Sequence, residues 1–318
     1  APHFPINHLV LRTPSTWLAA LLAVAGALVA TGVMFADYPF PPEETAFVET
    51  PAALLWLLSV AAQWMLWFVL VPPLVAALHA HREGFGWSPV VSVAALAVLA
   101  VGFLLPATFG WPDLPLAGLP DYPLTYHRAK IGAIYGVGLL VALMPALGLG
   151  LVRARVRGLF GEGTPSATQI QRFLELRVSM QHFLFLAGAF IFLAMLSVGA
   201  LRNAILAQDP DDEVLAASFP PEYVLLFGVY FSLLLALAYM PAYAGYLEVG
   251  GRMRDALVGP TPPAVGVAEL KTWRDERADL ESVLRLDVGV GESFRAGVVV
   301  FAPLAGSLVS LLLPGVSL

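Results

Sequence analysis

Residues 172–196 read RFLELRVSMQHFLFLAGAFIFLAML, and the fold of the chain can be argued outward from them. The first half carries charged and polar residues, whereas the second half is an apolar run without a break. From Thr164 onward the sequence offers a cap residue, a proline and then helix-favouring residues, with no stop signal before the apolar run. We therefore expect one helix that begins in water and continues into a lipid bilayer.

The composition of the 318-residue chain is that of a membrane protein. It is 58% hydrophobic and 13% charged, whereas soluble domains have about 25% charged residues. Seven apolar segments approach the roughly 20 residues that a helix needs to cross a bilayer. These predicted spans are 17–36, 52–78, 90–105, 131–152, 183–206, 223–247 and 296–313. Because backbone groups in lipid must be paired internally, we predict an all-α polytopic membrane protein with a seven-helix transmembrane bundle.

The basic residues predict the orientation of the spans. The N-terminus and the stretches 79–88, 153–182 and 248–295 together hold 14 of the 17 Lys and Arg residues. The other connecting segments hold 3 basic and 11 acidic residues. By the positive-inside rule the first set is cytoplasmic, which predicts a bacterial-type plasma (inner) membrane protein with a cytoplasmic N-terminus and an extracytoplasmic C-terminus. The first apolar run is longer than the apolar region of a signal peptide, so we expect a retained helix.

The stretches 153–182 and 248–295 predict helical extensions on the cytoplasmic side of a single transmembrane domain, 1–318. In the second stretch, Val267, Leu270 and Trp273 recur at three-residue steps, and oppositely charged residues lie four apart. This pattern is typical of an amphipathic helix. We expect it to pack on spans five and six as a small cytoplasmic helical module; the alternative is that it lies flat on the lipid.

Two polar stripes form the candidate site. The helical period places Glu175, Ser179 and His182 on one face of span five and its extension. The same period places Tyr239, Tyr243 and Tyr246, followed by Glu248, along span six. Since consecutive spans run antiparallel, the stripes can face each other as a vestibule or ligand pocket, because ionisable residues at membrane depth often mark function. The alternative is that these side chains only hydrogen-bond the helices together. The candidate ligand residues are Glu175, Ser179, His182, Tyr239, Tyr243, Tyr246 and Glu248.

Other chemistry finds little support in the sequence. The chain has no cysteine, which excludes disulfides and thiolate metal sites. His79 and His81 lie two apart, so on a helix they point away from each other and cannot chelate one metal ion. No protease or hydrolase motif and no mid-span charge is present, so the sequence favours neither an enzyme nor a proton-coupled transporter, and it predicts no catalytic residue, no metal and no particular cofactor.

Three functions remain after these exclusions. The first is a channel or pore-forming effector that is gated through the cytoplasmic helical module, because a hydrophobic constriction can gate without charges. The second is a structural or accessory subunit of a larger membrane complex, and the third is a carrier for a small apolar or amphipathic molecule. The predicted partners are the lipid bilayer and either further copies of this chain or other membrane proteins, with no role for nucleic acid.

Overall fold

The computed structural model describes most of the chain. The described residues are 15–36, 45, 47–82, 86–109, 126–161, 163–208, 219–262, 266–286 and 296–312. All regular structure in these ranges is helical. The longer helices in the described ranges are α1 (Thr16–Met34), α2 (Pro51–Ala80), α3 (Trp87–Phe109), α4 (His127–Leu159), α5 (Ala167–Leu206), α6 (Pro221–Val258), α7 (Val267–Val283) and α8 (Ala302–Leu312).

The lengths of these helices confirm an all-α membrane protein. Six of them, α1 to α6, are long and apolar enough to cross a bilayer. The last apolar helix, α8, has only 11 residues. Residues 296–300 are also helical and directly precede it, and we call 296–312 the C-terminal segment.

Helix α5 continues through the junction between charged and apolar sequence, as predicted. Its 40 residues correspond to about 60 Å, whereas the hydrocarbon core of a bilayer is about 30 Å thick. The cap is Ser166 rather than the expected Thr164. The Ser166 hydroxyl accepts from Gln169 N, and the Gln169 side chain accepts from Ser166 N. This reciprocal pair satisfies two of the backbone donors that a helix start leaves open.

Helix α6 is almost as long, at 38 residues. It passes through Gly250 and Gly251 and ends at Gly259, whose φ of 86° lies in a region that glycine adopts without steric strain. Pro241 lies inside the helix. Because proline has no N–H, the carbonyl four residues before it has no helical partner, which loosens α6 at this point.

The helix ends meet in two groups. At one end Arg155 of α4 donates to Ala80 O at the end of α2, over 3.0 Å. At the other end Lys130 of α4 donates to Met34 O of α1 over 3.1 Å, and Arg202 of α5 donates to Phe219 O over 2.8 Å. We call the end of the bundle that contains Arg155 the basic end, because the arginines of the C-terminal turns of α4 lie there.

His81 is a buried, uncharged hydrogen-bond partner of Arg155 at the basic end. Its ring is 1% exposed, and Arg155 Nη1 lies 3.2 Å from its Nδ1. Burial, and to a smaller extent the neighbouring guanidinium, lowers the pKa of His81 to about 4. The imidazole is therefore neutral at neutral pH and can accept a hydrogen bond from Arg155.

The C-terminal segment runs parallel to α5. Gly188 lies against Val299, and Gly199 lies against Ser310, so the same offset of 111 residues holds over both contacts. Asn203 Nδ2 donates to Ser310 O over 3.1 Å near the end opposite the basic end. Bonds from Phe301 N to Gly297 O and from Ala305 N to Phe301 O join 296–300 to α8. The segment therefore follows α5 as one nearly continuous helical piece.

We expect Gly306→Ala to loosen the C-terminal segment. A β-carbon on Gly306 would lie 2.6 Å from the carbonyl oxygen of Phe192, and backbone cannot move aside as easily as a side chain. The matched control is Gly297→Ala in the same segment, where nothing lies within 4 Å. Thermal unfolding of the purified protein should show a loss of about 1–3 kcal/mol for Gly306→Ala and no loss for the control. Equal melting of the two variants would contradict this packing.

Candidate functional site: a cleft at the basic end

A cleft of 860 Å³ lies between α5, α6 and the start of the C-terminal segment. Its polar lining residues are Arg177, Gln181, His182, Tyr239, Tyr243 and Arg285. Its apolar lining comes from α5, α6 and residues 296–300. Arg285 follows the last turn of α7, so four parts of the chain meet at one cleft.

The lining changes from polar to apolar with depth. Along α5 the order away from the basic end is Arg177, then Gln181 and His182, and then Phe185. Eight residues separate the first and the last of these, which is about 12 Å along the helix. The cleft therefore has a charged mouth and an apolar interior.

Apolar side chains of the cleft are also exposed on the surface of the bundle. The exposed fractions are 61% for Phe185, 65% for Met240 and 54% for Val298. These residues come from α5, α6 and the C-terminal segment, so each of the three walls of the cleft has an exposed apolar side chain. The cleft consequently opens sideways, towards the region where lipid chains surround a membrane-spanning bundle.

Three of the seven sequence-predicted site residues line the cleft. They are His182, Tyr239 and Tyr243. The two tyrosine rings stack with centroids 5.5 Å apart and an interplanar angle of 18°. The structure thus brings part of the α5 stripe and part of the α6 stripe together, as their helical spacing predicts.

The two glutamates and the serine of the stripes lie elsewhere. Glu175 accepts a hydrogen bond from Gln171 Nε2 over 3.1 Å. The Ser179 hydroxyl is buried and donates to the backbone oxygen of Glu175 over 3.1 Å. Glu248 is exposed. None of these three is among the residues that line the cleft.

Tyr246 lies one turn beyond the cleft and joins three parts of the chain. It is fully buried, its hydroxyl donates to Leu284 O over 2.7 Å, and its ring stacks on Phe173 of α5 with centroids 4.1 Å apart. Arg177 Cζ lies 5.4 Å from the centroid of the same ring, a distance typical of cation–π contacts. Tyr246 therefore holds Leu284, the residue before Arg285, in place. It also contacts Arg177, the first residue of α5 that lines the cleft.

Sequence reasoning missed Arg177, Gln181 and Arg285. A signal was present for the first two, because Arg177 and Gln181 are four apart and next to the predicted stripe, and such residues share a helix face. No local pattern could have found Arg285. Its backbone has a φ of 52°, an uncommon conformation for a residue with a side chain, and it reaches the cleft only because of the way α7 is attached.

An ionic cluster attaches α7 to α6. Arg254 of α6 lies 2.6 Å from a carboxylate oxygen of Glu281 in α7. Arg277 of α7 lies 2.9 Å from Asp255 of α6 and also donates to Gly259 O over 3.3 Å. The arginine and glutamate side chains are one fifth to one third exposed, so solvent screens these pairs less than fully exposed ones. The cluster holds α7 beside the end of α6.

Comparison with protein-family models, curated proteins and solved structures finds no match. In the described part of the chain, no group of three or more histidine and acidic residues is placed to hold a metal ion. The chemistry of the cleft is therefore that of arginine, amide, imidazole and phenol groups above an apolar floor.

We expect the Arg254–Glu281 pair to stabilise the attachment of α7. Arg254→Gln and Glu281→Gln should each speed hydrogen exchange in α7 by about fivefold, which corresponds to about 1 kcal/mol, and the double variant should resemble either single one. The matched control is the Arg274–Asp275 pair of the same helix, whose side chains are 72% and 55% exposed and should show almost no coupling. Additive effects of Arg254→Gln and Glu281→Gln would contradict the pairing.

Proposed function

We propose that the protein is a membrane carrier for an amphipathic anion, a molecule with a phosphate or carboxylate head and an apolar tail. The observation that supports this most strongly is the cleft, in which a mouth with two arginines leads to an apolar interior that opens sideways. A molecule in the leaflet at the basic end would enter from the side, with its head at Arg177 and Arg285 and its tail against Phe185 and Met240.

The charge of the mouth favours an anionic head. Among the described residues that line the cleft, two are arginines and none is acidic. A guanidinium matches phosphate and carboxylate with paired N–H donors. Gln181, His182 and Tyr243 add further hydrogen-bonding groups to the same cleft. Basic pockets between membrane helices bind anionic lipid head groups in this way.

The size and walls of the cleft favour a tail of apolar atoms. Its 860 Å³ falls within the range of about 300–1,000 Å³ that is typical of small-molecule sites. The exposed side chains of Phe185, Met240 and Val298 would otherwise face lipid, so a lipid-like tail meets the same environment on both sides. This agrees better with an amphipathic ligand than with a wholly polar one.

The proline inside α6 supports transport of the ligand, since transport requires the helices around the cleft to move. Pro241 lies in α6 between Tyr239 and Tyr243, two residues that line the cleft. A proline in mid-helix removes one backbone hydrogen bond and lets the two halves of the helix change their angle. The basic-end half of α6 is joined to α7 by the ionic cluster, so a change of angle at Pro241 would move the mouth and its arginine together.

In this proposal the basic end faces the cytoplasm and the C-terminal segment is a seventh crossing. The charge distribution of the connecting segments supports the first point. The parallel packing of residues 296–312 along α5 supports a seventh crossing. These residues lie beside the apolar part of α5, which itself is long enough to cross the bilayer. The N-terminus would then be cytoplasmic, the C-terminus extracytoplasmic, and α7 part of a cytoplasmic helical module.

The other two functions remain predictions from the sequence. A gated channel would require an ion path across the bundle, and an accessory subunit would require a partner on its lipid-facing sides. Among the described residues, no specific observation supports self-association or a particular partner protein. The carrier is therefore the function we propose.

The orientation can be tested directly because the chain has no cysteine. Arg274→Cys on α7 and Glu222→Cys at the start of α6 each introduce one exposed thiol at opposite ends of the bundle. In intact bacterial cells, an impermeant maleimide should label Glu222→Cys and should label Arg274→Cys only after the cells are opened. Labelling of Arg274→Cys from outside intact cells would overturn the proposed orientation.

The ligand class can be tested with two lipids that differ by one phosphate. Native mass spectrometry of the purified protein should show tighter binding of phosphatidic acid than of the diacylglycerol with the same chains. Arg285→Gln should weaken phosphatidic acid binding about tenfold, which is the loss expected for one charge-assisted hydrogen bond. The matched control is Arg274→Gln, which removes an exposed arginine of α7 outside the cleft and should leave affinity unchanged.

Transport is measured with the same variants in proteoliposomes. The wild-type protein should move a fluorescent phosphatidic acid between leaflets faster than Arg285→Gln does, and without ion conductance. Equal affinity for the two lipids, or wild-type affinity in Arg285→Gln, would refute the anion site. Binding without any lipid movement would refute the carrier, and ion conductance would favour the channel.

A further inference from the structure

A second cavity lies in the bundle, near the middle of α2. It has a volume of 70 Å³ and is bordered by α2, α4, α5 and α6 together with Leu104 of α3. Its lining residues with polar side-chain atoms are Trp56, Gln63, Trp67, Tyr135 and Ser197. We propose that this cavity is an intramembrane water-binding site that holds about two water molecules. The proposal is independent of the ligand of the cleft.

Two deeply buried polar atoms point to a ligand in this cavity. Gln63 and Trp67 are each 3% exposed, and neither Gln63 Oε1 nor Trp67 Nε1 has a hydrogen-bond partner among the described residues. A buried polar group without a partner costs about 1–3 kcal/mol, and no bulk water reaches the hydrocarbon region to reduce this cost. One is an acceptor and the other a donor, so a single water molecule can bond to both.

The size and charge of the cavity select water over other ligands. Water occupies about 30 Å³ in the liquid, and a cavity that binds benzene measures about 150 Å³. A volume of about 70 Å³ is about half of the benzene-binding one and has room for two or more water molecules. None of the described lining residues is charged, so the site offers nothing to neutralise an ion. The hydroxyls of Tyr135 and Ser197 supply the further partners that bound water needs.

Gly138 of α4 shapes this site. A β-carbon at Gly138 would lie 3.1 Å from the Trp67 ring and 3.7 Å from Gln63 Nε2. The missing side chain lets the Trp67 ring and the Gln63 amide of α2 lie against α4. The site is therefore built by two helices in contact and is not a gap left by loose packing.

Radiolytic hydroxyl labelling tests the site, because radicals formed in the bilayer interior arise from bound water. The full chain in lipid nanodiscs is exposed to a short X-ray pulse, and modification is measured by mass spectrometry. Trp67 and Met195 line the cavity. Their controls are Trp64 and Met34, which are also buried, at 7% and 2% exposed, but do not line it. We expect Trp67 and Met195 to be labelled at least threefold faster than their controls.

Trp64 is an especially close control, since its Nε1 is also buried without a hydrogen-bond partner among the described residues. Equal labelling of Trp64 and Trp67 and of Met34 and Met195 would overturn the proposal. In Gln63→Leu, which removes the acceptor at similar volume, labelling of Trp67 and Met195 should fall at least threefold. Ser59→Ala, on the same helix but outside the cavity, should leave it unchanged. If Gln63→Leu does not fold, the wild-type comparison decides alone.

Discussion

The structure depends on the uninterrupted backbone hydrogen bonding of α5. In a bilayer every buried N–H and C=O must be paired within the protein, and a continuous helix does this without help from neighbours. In its most apolar part 61% of the residues of α5 are buried, compared with 33% or less in the other five candidate spans. It contacts α2, α4, α6 and α8. The same helix can therefore serve as the centre of the bundle and carry polar residues from the basic end to the cleft.

The packing around Tyr246 connects the centre of the bundle to the mouth of the cleft. A buried phenol must hydrogen-bond, and Tyr246 does so with the carbonyl of Leu284, which is itself fully buried. Stacking on Phe173 joins this pair to α5. The position of Arg285 is thus fixed by apolar packing on one side and by the ionic cluster of α7 on the other. None of the described residues that line the cleft beside it is acidic.

The cleft and the second cavity differ in charge, and this difference agrees with their depth in the membrane. Of the two arginines of the cleft, Arg285 is exposed at the basic end, where a long side chain can keep its charge in water or among head groups, whereas Arg177 is buried against the ring of Tyr246. The polar groups around the second cavity lie within the spans and are all neutral. Burying a neutral amide or indole costs a few kcal/mol, and one or two water molecules can offset it, whereas a buried charge costs far more. The bundle therefore places charge near its end and neutral polarity inside.

The sequence by itself determined the membrane class, the helical form, the continuity of α5 and the shared helix face of Tyr239 and Tyr243. These properties are local, because hydrophobic length and the period of 3.6 residues depend only on neighbours along one helix. The tertiary structure decided which polar residues meet. Tyr246 shares the helix face of the two cleft tyrosines, yet it is covered by the end of α7. Arg285 and Gln63 belong to no pattern along the chain, since the rotation of one helix against another and the attachment of α7 are set by packing between distant segments.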